Sequence, residues 1–194
     1  MDIDTFLAQR VRDLRKARGL TLEQLAEQSG VSRSMISLIE RQETSPTAAV
    51  LNKLADAFGI SLSSLFAGGT PPKGDPVCRA AEQPVWTDPA SGYLRRQLSP
   101  SGLESPVDLV EVIFPPGETV VFDNPVRKAS VQQQMWVLEG DMAVTLGDQT
   151  WQLQRGDCMV MTLAARITFH NPSLTAARYL LVLTTATEPP RSLV

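Results

Sequence analysis

Residues 22–41 of this 194-residue chain read LEQLAEQSGVSRSMISLIER, and this stretch decides the fold of the N-terminal part. Apolar residues recur at helical spacing on both sides of Gly30, which permits a tight turn. The small Ala26 lets two helices approach closely. Apolar side chains fill the space between them, namely Leu25, Val31, Ile36 and Ile39. Together these constraints predict two short helices that cross steeply.

Signals at helix ends extend this prediction to five helices over residues 5–66. Gly19 ends the first helix and Gly30 the second, while Thr21 begins the second in a capping box with Gln24. The remaining signals are Ser32 before the third helix, Ser45-Pro46 with proline at the first position of the fourth, Gly59 at its end, and Ser61 before a last short turn.

The third helix divides into two faces at about 100° per residue. Met35, Ile36 and Ile39 fall on the inner side. The outer side carries Arg33, Ser34, Ser37, Leu38 and Arg41. A guanidinium, hydroxyl groups and an aliphatic tip suit the base edges of a DNA major groove. The alternative is an ordinary solvated face, which an exposed Leu38 fits less well.

Residues 10–66, RVRDLRKARGLTLEQLAEQSGVSRSMISLIERQETSPTAAVLNKLADAFGISLSSLF, resemble the five-helix DNA-binding domain of the Cro/C1 (XRE) repressor family. The resemblance implies DNA contacts by Thr21, Gln24, Ser32, Arg33, Ser34, Ser37, Leu38 and Arg41, with Thr21 and Gln24 on the phosphate backbone. It also implies a structural ion pair between Arg15 and Glu40. One departure is Gln42, which stands where the family usually has glycine.

The sequence pattern changes after the Gly- and Pro-rich segment 67–76, AGGTPPKGDP. Short β-type runs follow, at Val107–Phe114, Gln134–Leu138, Met142–Leu146, Cys158–Leu163 and Ala177–Thr184. We therefore predict an α + β protein of two domains: an all-α helix-turn-helix domain at 1–66, a linker at 67–76, and an all-β domain at 77–187 that forms an antiparallel sandwich or barrel.

Turns at Pro115-Pro116-Gly117, Glu139-Gly140-Asp141 and Arg155-Gly156-Asp157 make residues 105–185 resemble the cupin family. In that resemblance, Gln133 occupies the place of the metal-binding glutamate, and Ile167 occupies the place of the last histidine. The paired histidines would fall at Arg127 and Ala129. Asn171 matches the family's asparagine. His170 lies three residues away, on the opposite strand face. We therefore expect no metal, no cofactor and no catalytic residue.

Side chains alternate in direction along a strand, so Gln133, Met135 and Val137 are expected to point into the barrel. Together with Ile167 they are expected to line a candidate effector pocket. Because the groups at the metal-binding positions are neutral, we expect a neutral or modestly polar ligand. Gln133 as a purely structural core residue is an equal alternative. Trp136 and Leu138 point outward, which predicts either a subunit interface or a cover formed by residues 76–100.

Composition limits the function further. The net charge is −3, and a single histidine excludes a metal site built on two or three imidazoles. Cys78 and Cys158 are expected to be reduced and mostly buried. No apolar run is long enough to span a membrane and no secretory signal is evident, so a cytoplasmic location is expected.

The expected function is that of a bacterial homodimeric regulator, a repressor or dual regulator, that binds a double-stranded DNA operator and senses an unidentified small molecule. One alternative is a metal-dependent cupin enzyme (an oxygenase, epoxidase or isomerase), which the missing ligands disfavour. The other is a cupin domain that serves only in dimerisation.

Overall fold

A computed structural model describes residues 2–66, 75–100, 103, 105–123, 131–162 and 166–185. Five helices come first: α1 (Ile3–Ala17), α2 (Leu22–Ser29), α3 (Arg33–Glu40), α4 (Ala48–Ala57) and α5 (Leu62–Phe66). Their apolar faces meet in a buried core that includes Leu25, Ile36, Leu51 and Leu65. None of the helices in the described ranges is long and apolar enough to cross a membrane. Residues 67–74 of the predicted linker lie outside the described residues.

The predicted capping of α2 and α3 is confirmed. The Thr21 amide donates to Gln24 Oε1 at 2.9 Å, and the Gln24 amide donates to Thr21 Oγ1 at 3.1 Å. Ser32 Oγ accepts from the Met35 amide at 3.2 Å, and Gly30 ends α2 with a φ of 67°. Each signal acts within four residues, which is why the local sequence predicts it correctly.

The predicted start of α4 is wrong. The helix begins at Ala48 and not at Pro46, because Thr47 is its N-cap and accepts a hydrogen bond from the Val50 amide at 3.3 Å. The hydroxyl of Ser45, the expected cap, instead donates to Asp4 of α1. Because Ser45 bonds to a residue 41 positions away, it is not available as the cap that the local pattern predicts.

Ten strands follow: β1 (Val85–Thr87), β2 (Leu94–Gln97), β3 (Val107–Phe114), β4 (Thr119–Phe122), β5 (Val131–Glu139), β6 (Met142–Leu146), β7 (Gln149–Leu153), β8 (Cys158–Thr162), β9 (Ile167–His170) and β10 (Ala177–Thr185). They form two antiparallel sheets, ordered β1-β2-β3-β10-β5-β8 and β4-β9-β6-β7. Strands β3 to β10 therefore have the double Greek-key order of a jelly roll, the architecture to which cupins belong. The predicted all-β fold is confirmed.

Strands β1 and β2 were not among the predicted strands. They extend the first sheet at its edge and lie against the helices. Trp86 of β1 is fully buried between Phe66 of α5 and Tyr93, with ring centroids 5.6 and 5.9 Å away. The helical part and the barrel therefore share a continuous buried contact through this strand pair.

Candidate nucleic-acid interface and barrel cavity

Helix α3 presents the two faces that its sequence predicts. Ile36 and Ile39 are fully buried, and Met35 is half-buried. On the opposite side Arg33, Ser34 and Arg41 are exposed, whereas Ser37 and Leu38 are half-buried. Leu38 is therefore less exposed than expected, although it remains on the outward arc. The arc offers a guanidinium and hydroxyl groups to solvent, as major-groove contact requires.

The other predicted DNA contacts lie at helix starts. Thr21 and Gln24 are exposed at the beginning of α2, where their side chains hold each other's amides. Ser32 caps α3 and lies 3.1 Å from the hydroxyl of Ser34. Helix N-termini carry partial positive charge and free amide groups, so both starts suit a phosphate oxygen.

Two arginines of the outward arc form only weak ion pairs. Arg33 Nε lies 3.3 Å from Glu23 Oε2, with the two side chains 65% and 69% exposed. Arg41 Nη2 lies 3.0 Å from Glu43 Oε2, also at the surface. Exposed pairs of this kind contribute at most about 1 kcal/mol. Either guanidinium can therefore exchange its carboxylate for a phosphate or a guanine edge.

The predicted ion pair behind this surface is confirmed. Arg15 donates from Nε and Nη2 to the two carboxylate oxygens of Glu40 at 2.6 and 2.7 Å, and from Nη1 to the Leu20 carbonyl oxygen at 2.9 Å. The hydrogen bond to Glu40 is the main reason that the pKa of Arg15 is raised. The pair fixes α1 against the end of α3, and both carboxylate oxygens of Glu40 accept from Arg15.

Gln42 follows α3 with a φ of 63°, the left-handed conformation that favours glycine. The loop thus keeps the backbone of a glycine with a non-glycine residue. Its side-chain Oε1 accepts a hydrogen bond from Thr5 Oγ1 of α1 at 3.2 Å. Gln42 therefore holds a backbone conformation that is strained for a residue with a side chain.

A cavity of about 50 Å³ lies between the two sheets. Helices α4 and α5 contribute Asn52 and Leu62 to its wall, and the barrel contributes Tyr93, Arg95, Val112, Phe122, Gln133, Phe169, Tyr179, Leu181 and Leu183. Gln133 is thus placed at a cavity, as its inward alternation predicts. Helical and barrel residues share this one space.

The other three predicted pocket residues lie elsewhere. Met135, Val137 and Ile167 point inward and are fully buried, but they do not line the cavity. They belong to the buried core, together with Val110, Val112 and Leu181. The cavity thus includes Gln133 of the predicted set and extends from it toward the helices, where Asn52 and Leu62 reach it.

Sequence reasoning missed Tyr93 and Arg95, which enter the cavity from the end of the β1–β2 turn and from β2. Burial raises the pKa of Tyr93 and of Tyr179, so both phenols stay neutral at physiological pH. Arg95 therefore brings the charge to this wall. The only local signal was the alternation of Tyr93, Arg95 and Gln97, which share the inward face.

The structure describes two positions of the second cupin block, Ile167 at the place of the last histidine and Asn171 at the place of the asparagine. Ile167 is buried between Phe122 and Leu146 on the neighbouring strands. The Asn171 amide nitrogen donates to the carbonyl oxygens of Phe114 and Thr175, so this residue fixes loops. Within the described ranges, no group of three His, Cys, Asp or Glu residues is placed to hold a metal ion. Arg127 and Ala129 lie outside those ranges.

The outer face of the first sheet carries exposed apolar groups. Trp136 is 47% exposed on β5, and Val160 is 65% exposed on the edge strand β8. Residues 76–100 therefore do not cover Trp136, and that alternative is wrong. Cys158 pairs with Trp136 across the strands and is exposed, which corrects the expectation that both thiols are mostly buried. Cys78 is half-buried.

A helix-turn-helix bundle that exposes a polar face on its second motif helix is typical of DNA-binding proteins. The sequence pattern of the helix-turn-helix family HTH_3 matches residues 11–65, and the chain belongs to this family. The chain is 27% identical over 164 residues to the HTH-type transcriptional regulator PuuR of Escherichia coli. This alignment covers 84% of the chain and 86% of PuuR. The chain is 43% identical over 66 residues to the control protein C.SmaI of Serratia marcescens, covering 34% and 79% of the two chains.

A solved structure extends the likeness to nearly the whole chain. The crystal structure of an HTH_3 family transcriptional regulator from Vibrio cholerae superimposes with a TM-score of 0.76 at 26% identity. The match covers 95% of this chain and 97% of that one. The protein is therefore a DNA-binding transcriptional regulator that combines a helix-turn-helix bundle with a jelly-roll barrel.

Proposed function

We propose that this regulator binds a two-fold symmetric DNA operator as a homodimer, and that a small molecule in the barrel cavity changes its operator affinity. In this proposal residues 1–66 bind DNA and residues 77–187 bind the effector. The observation that carries the sensing step is the composition of the cavity wall, where Asn52 and Leu62 of the helices stand beside Gln133 of the barrel. A ligand there contacts both parts of the chain.

Helix α3 enters the major groove with Arg33 and Ser34 near base edges, and Ser37, Leu38 and Arg41 along the same arc. Thr21 and Gln24 bring the start of α2 to the phosphate backbone, while Ser32 does the same for α3. This division follows from the exposed positions of these side chains and from the chemistry of base and phosphate contacts. A dimer doubles these contacts at two half-sites.

The outer sheet face supplies the dimer contact in this proposal. Trp136 and Val160 are exposed large apolar side chains on neighbouring strands, and a solvated sheet face is normally polar. Apolar and aromatic groups grouped in this way are typical of subunit interfaces. The face belongs to the barrel and leaves α3 free for DNA.

The contacts between barrel and helices suggest how the signal travels. The Ala48 amide at the start of α4 donates to the carboxylate of Asp88 in the β1–β2 turn at 2.8 Å. Helix α4 also packs against α2, one of the two helices that face DNA in this proposal. A ligand regulates only if it binds one arrangement of these elements better than the other.

The DNA step is tested by selecting operator sequences from a random duplex pool with the full chain, followed by fluorescence anisotropy. Arg33→Ala is expected to lower operator affinity by about 1–3 kcal/mol and to relax base preference. Arg166→Ala is the matched control, because Arg166 is a similarly exposed arginine in a weak pair with Asp123 at 3.6 Å, on the barrel. Equal operator affinity of Arg33→Ala and the parent would refute the assignment.

The sensing step is tested by a thermal-unfolding screen of small molecules against the parent and Gln133→Leu. A specific ligand raises the unfolding temperature of the folded parent and has a smaller effect on the variant, since ligands that bind only the folded state stabilise it. Hits are then tested for an effect on operator affinity. Absence of any hit supports the second candidate, a barrel that serves only in dimerisation, whereas about one equivalent of bound iron would favour the enzyme.

A further inference from the structure

The guanidinium of Arg95 lies inside the barrel with only 5% of the residue exposed. It reaches the cavity from β2 and stacks over the ring of Phe66, 5.4 Å from its centroid. Nη2 donates to Ser63 Oγ of α5, and among the described residues this is its one hydrogen bond. Nε is buried without a partner. An arginine has five N–H donors, so most of this group's hydrogen-bonding capacity is unused.

This buried cation also lacks a carboxylate partner. In the part of the chain that the structure describes, no Asp or Glu oxygen lies within 4.0 Å of the guanidinium. Asp108 interacts with it from farther away, but burial raises the pKa of Asp108 despite the attraction of Arg95. Burial likewise lowers the pKa of Arg95 itself. The positive charge is therefore taken out of water with only partial compensation, which costs folding free energy.

A bound anion would supply the missing compensation. The cavity of about 50 Å³ has room for about four water-sized groups. Its wall is mostly apolar, and three strands along from β2 it also carries the amide of Gln133, whose Nε2 makes only a weak hydrogen bond to Met161 Sδ at 3.7 Å. A small molecule with one planar anionic end and a short apolar end matches this wall.

We infer that the effector is a short-chain monocarboxylate of about two or three carbons, whose carboxylate pairs with Arg95 while its alkyl group contacts the apolar wall. This replaces the neutral ligand expected from the sequence, because Arg95 comes from a strand that the cupin resemblance does not cover. The inference rests on the proposed function, since it names the ligand class of the same cavity.

The partner of Arg95 explains how such a ligand acts on the helices. The hydrogen bond to Ser63 and the stacking on Phe66 both join Arg95 to α5. A carboxylate that binds the unused N–H groups attracts the guanidinium toward the cavity and thereby weakens its hydrogen bond to Ser63. Ligand binding then changes the contact between the barrel and α5. Because α5 packs against α4, the change reaches the rest of the helical part.

The test uses ligand-observed NMR titration of the full chain with sodium acetate, sodium propionate, acetamide and propionamide at constant ionic strength. The carboxylates are expected to bind at least ten-fold more tightly than the amides of the same shape. Arg95→Met should reduce this preference to about one-fold, and it should fold because it removes an unpaired buried charge. Arg95→Lys keeps the charge and should retain a weakened preference.

Arg96→Met is the matched control on the same strand. Arg96 points to the other face of β2, 3.7 Å from Glu111, so its loss should leave the preference unchanged. Equal binding of carboxylates and amides, or binding of none of the four probes, would overturn the inference and leave the sensing function to the wider screen. Carboxylate binding that depends on Arg95 but does not change operator affinity would confirm the site and refute the sensing function.

Discussion

Replacement of Asp88 by alanine should weaken the contact between the helices and the barrel and lower the stability of the chain. Asp88 is 2% exposed in the turn between β1 and β2. One carboxylate oxygen accepts from the Ala48 amide at 2.8 Å, and the other accepts from the amide and hydroxyl of Ser91 at 3.0 and 2.6 Å. Ala48 is the first residue of α4, so this carboxylate satisfies a helix N-terminus 40 residues away.

The size of the effect follows from these three bonds. A hydrogen bond to a charged group contributes about 1.5–3 kcal/mol, and an anion at a partly buried helix N-terminus up to about 2 kcal/mol. Water entering the gap recovers part of this, but the Ala48 amide lies in a buried contact where an unsatisfied donor costs about 1–3 kcal/mol. We expect Asp88→Ala to lower the free energy of unfolding by about 3–5 kcal/mol.

The assay is urea unfolding followed by circular dichroism, with Asp157→Ala as the control. Asp157 makes a similar carboxylate–amide hydrogen bond, to Gln154 at 2.8 Å, but at the surface. Its removal should cost about 1 kcal/mol or less, since solvent replaces the bond. Equal losses for the two variants would refute the argument that burial and the helix terminus make Asp88 important.

Three further changes have predictable signs. Gln42→Gly should raise the free energy of unfolding by about 0.5–1 kcal/mol in the same assay, because glycine adopts the φ of 63° without strain; a lower value would contradict this. Glu40→Gln should lower it by about 2–3 kcal/mol, since it leaves the partly buried Arg15 without its counter-charge, and an unchanged urea midpoint would argue against that role. Glu23→Gln should tighten operator binding about two- to five-fold in anisotropy titrations, because it frees Arg33 and removes a negative charge near the phosphates; weaker binding would count against this orientation of α2.

The local sequence predicts most of the helical part correctly. The capping box of Thr21 and Gln24 and the left-handed Gly30 involve contacts within four residues, so their signals stand side by side in the chain. The exception is the start of α4. There Ser45 bonds to Asp4 of another helix, and Thr47 becomes the cap.

The barrel is predicted as a class but not in its detail. The runs at Val107–Phe114 and Met142–Leu146 coincide with β3 and β6, because alternation and glycine turns are also local. β1 and β2 escaped prediction because β1 is three residues long and β2 carries two adjacent arginines, so neither shows apolar alternation. Their role as a bridge to the helices depends on the position of α4 and α5.

The sequence by itself determined the helix ends, the outward face of α3 and the β character of the second half, since each depends on spacings of two to four residues. Tertiary structure alone decided the contact of Asp88 with Ala48 and of Arg95 with Ser63, which join residues 40 and 32 positions apart. It also decided where the cavity lies. Such contacts arise only when the two sheets close and the helices pack against one edge, and no short-range pattern encodes which side chains then meet.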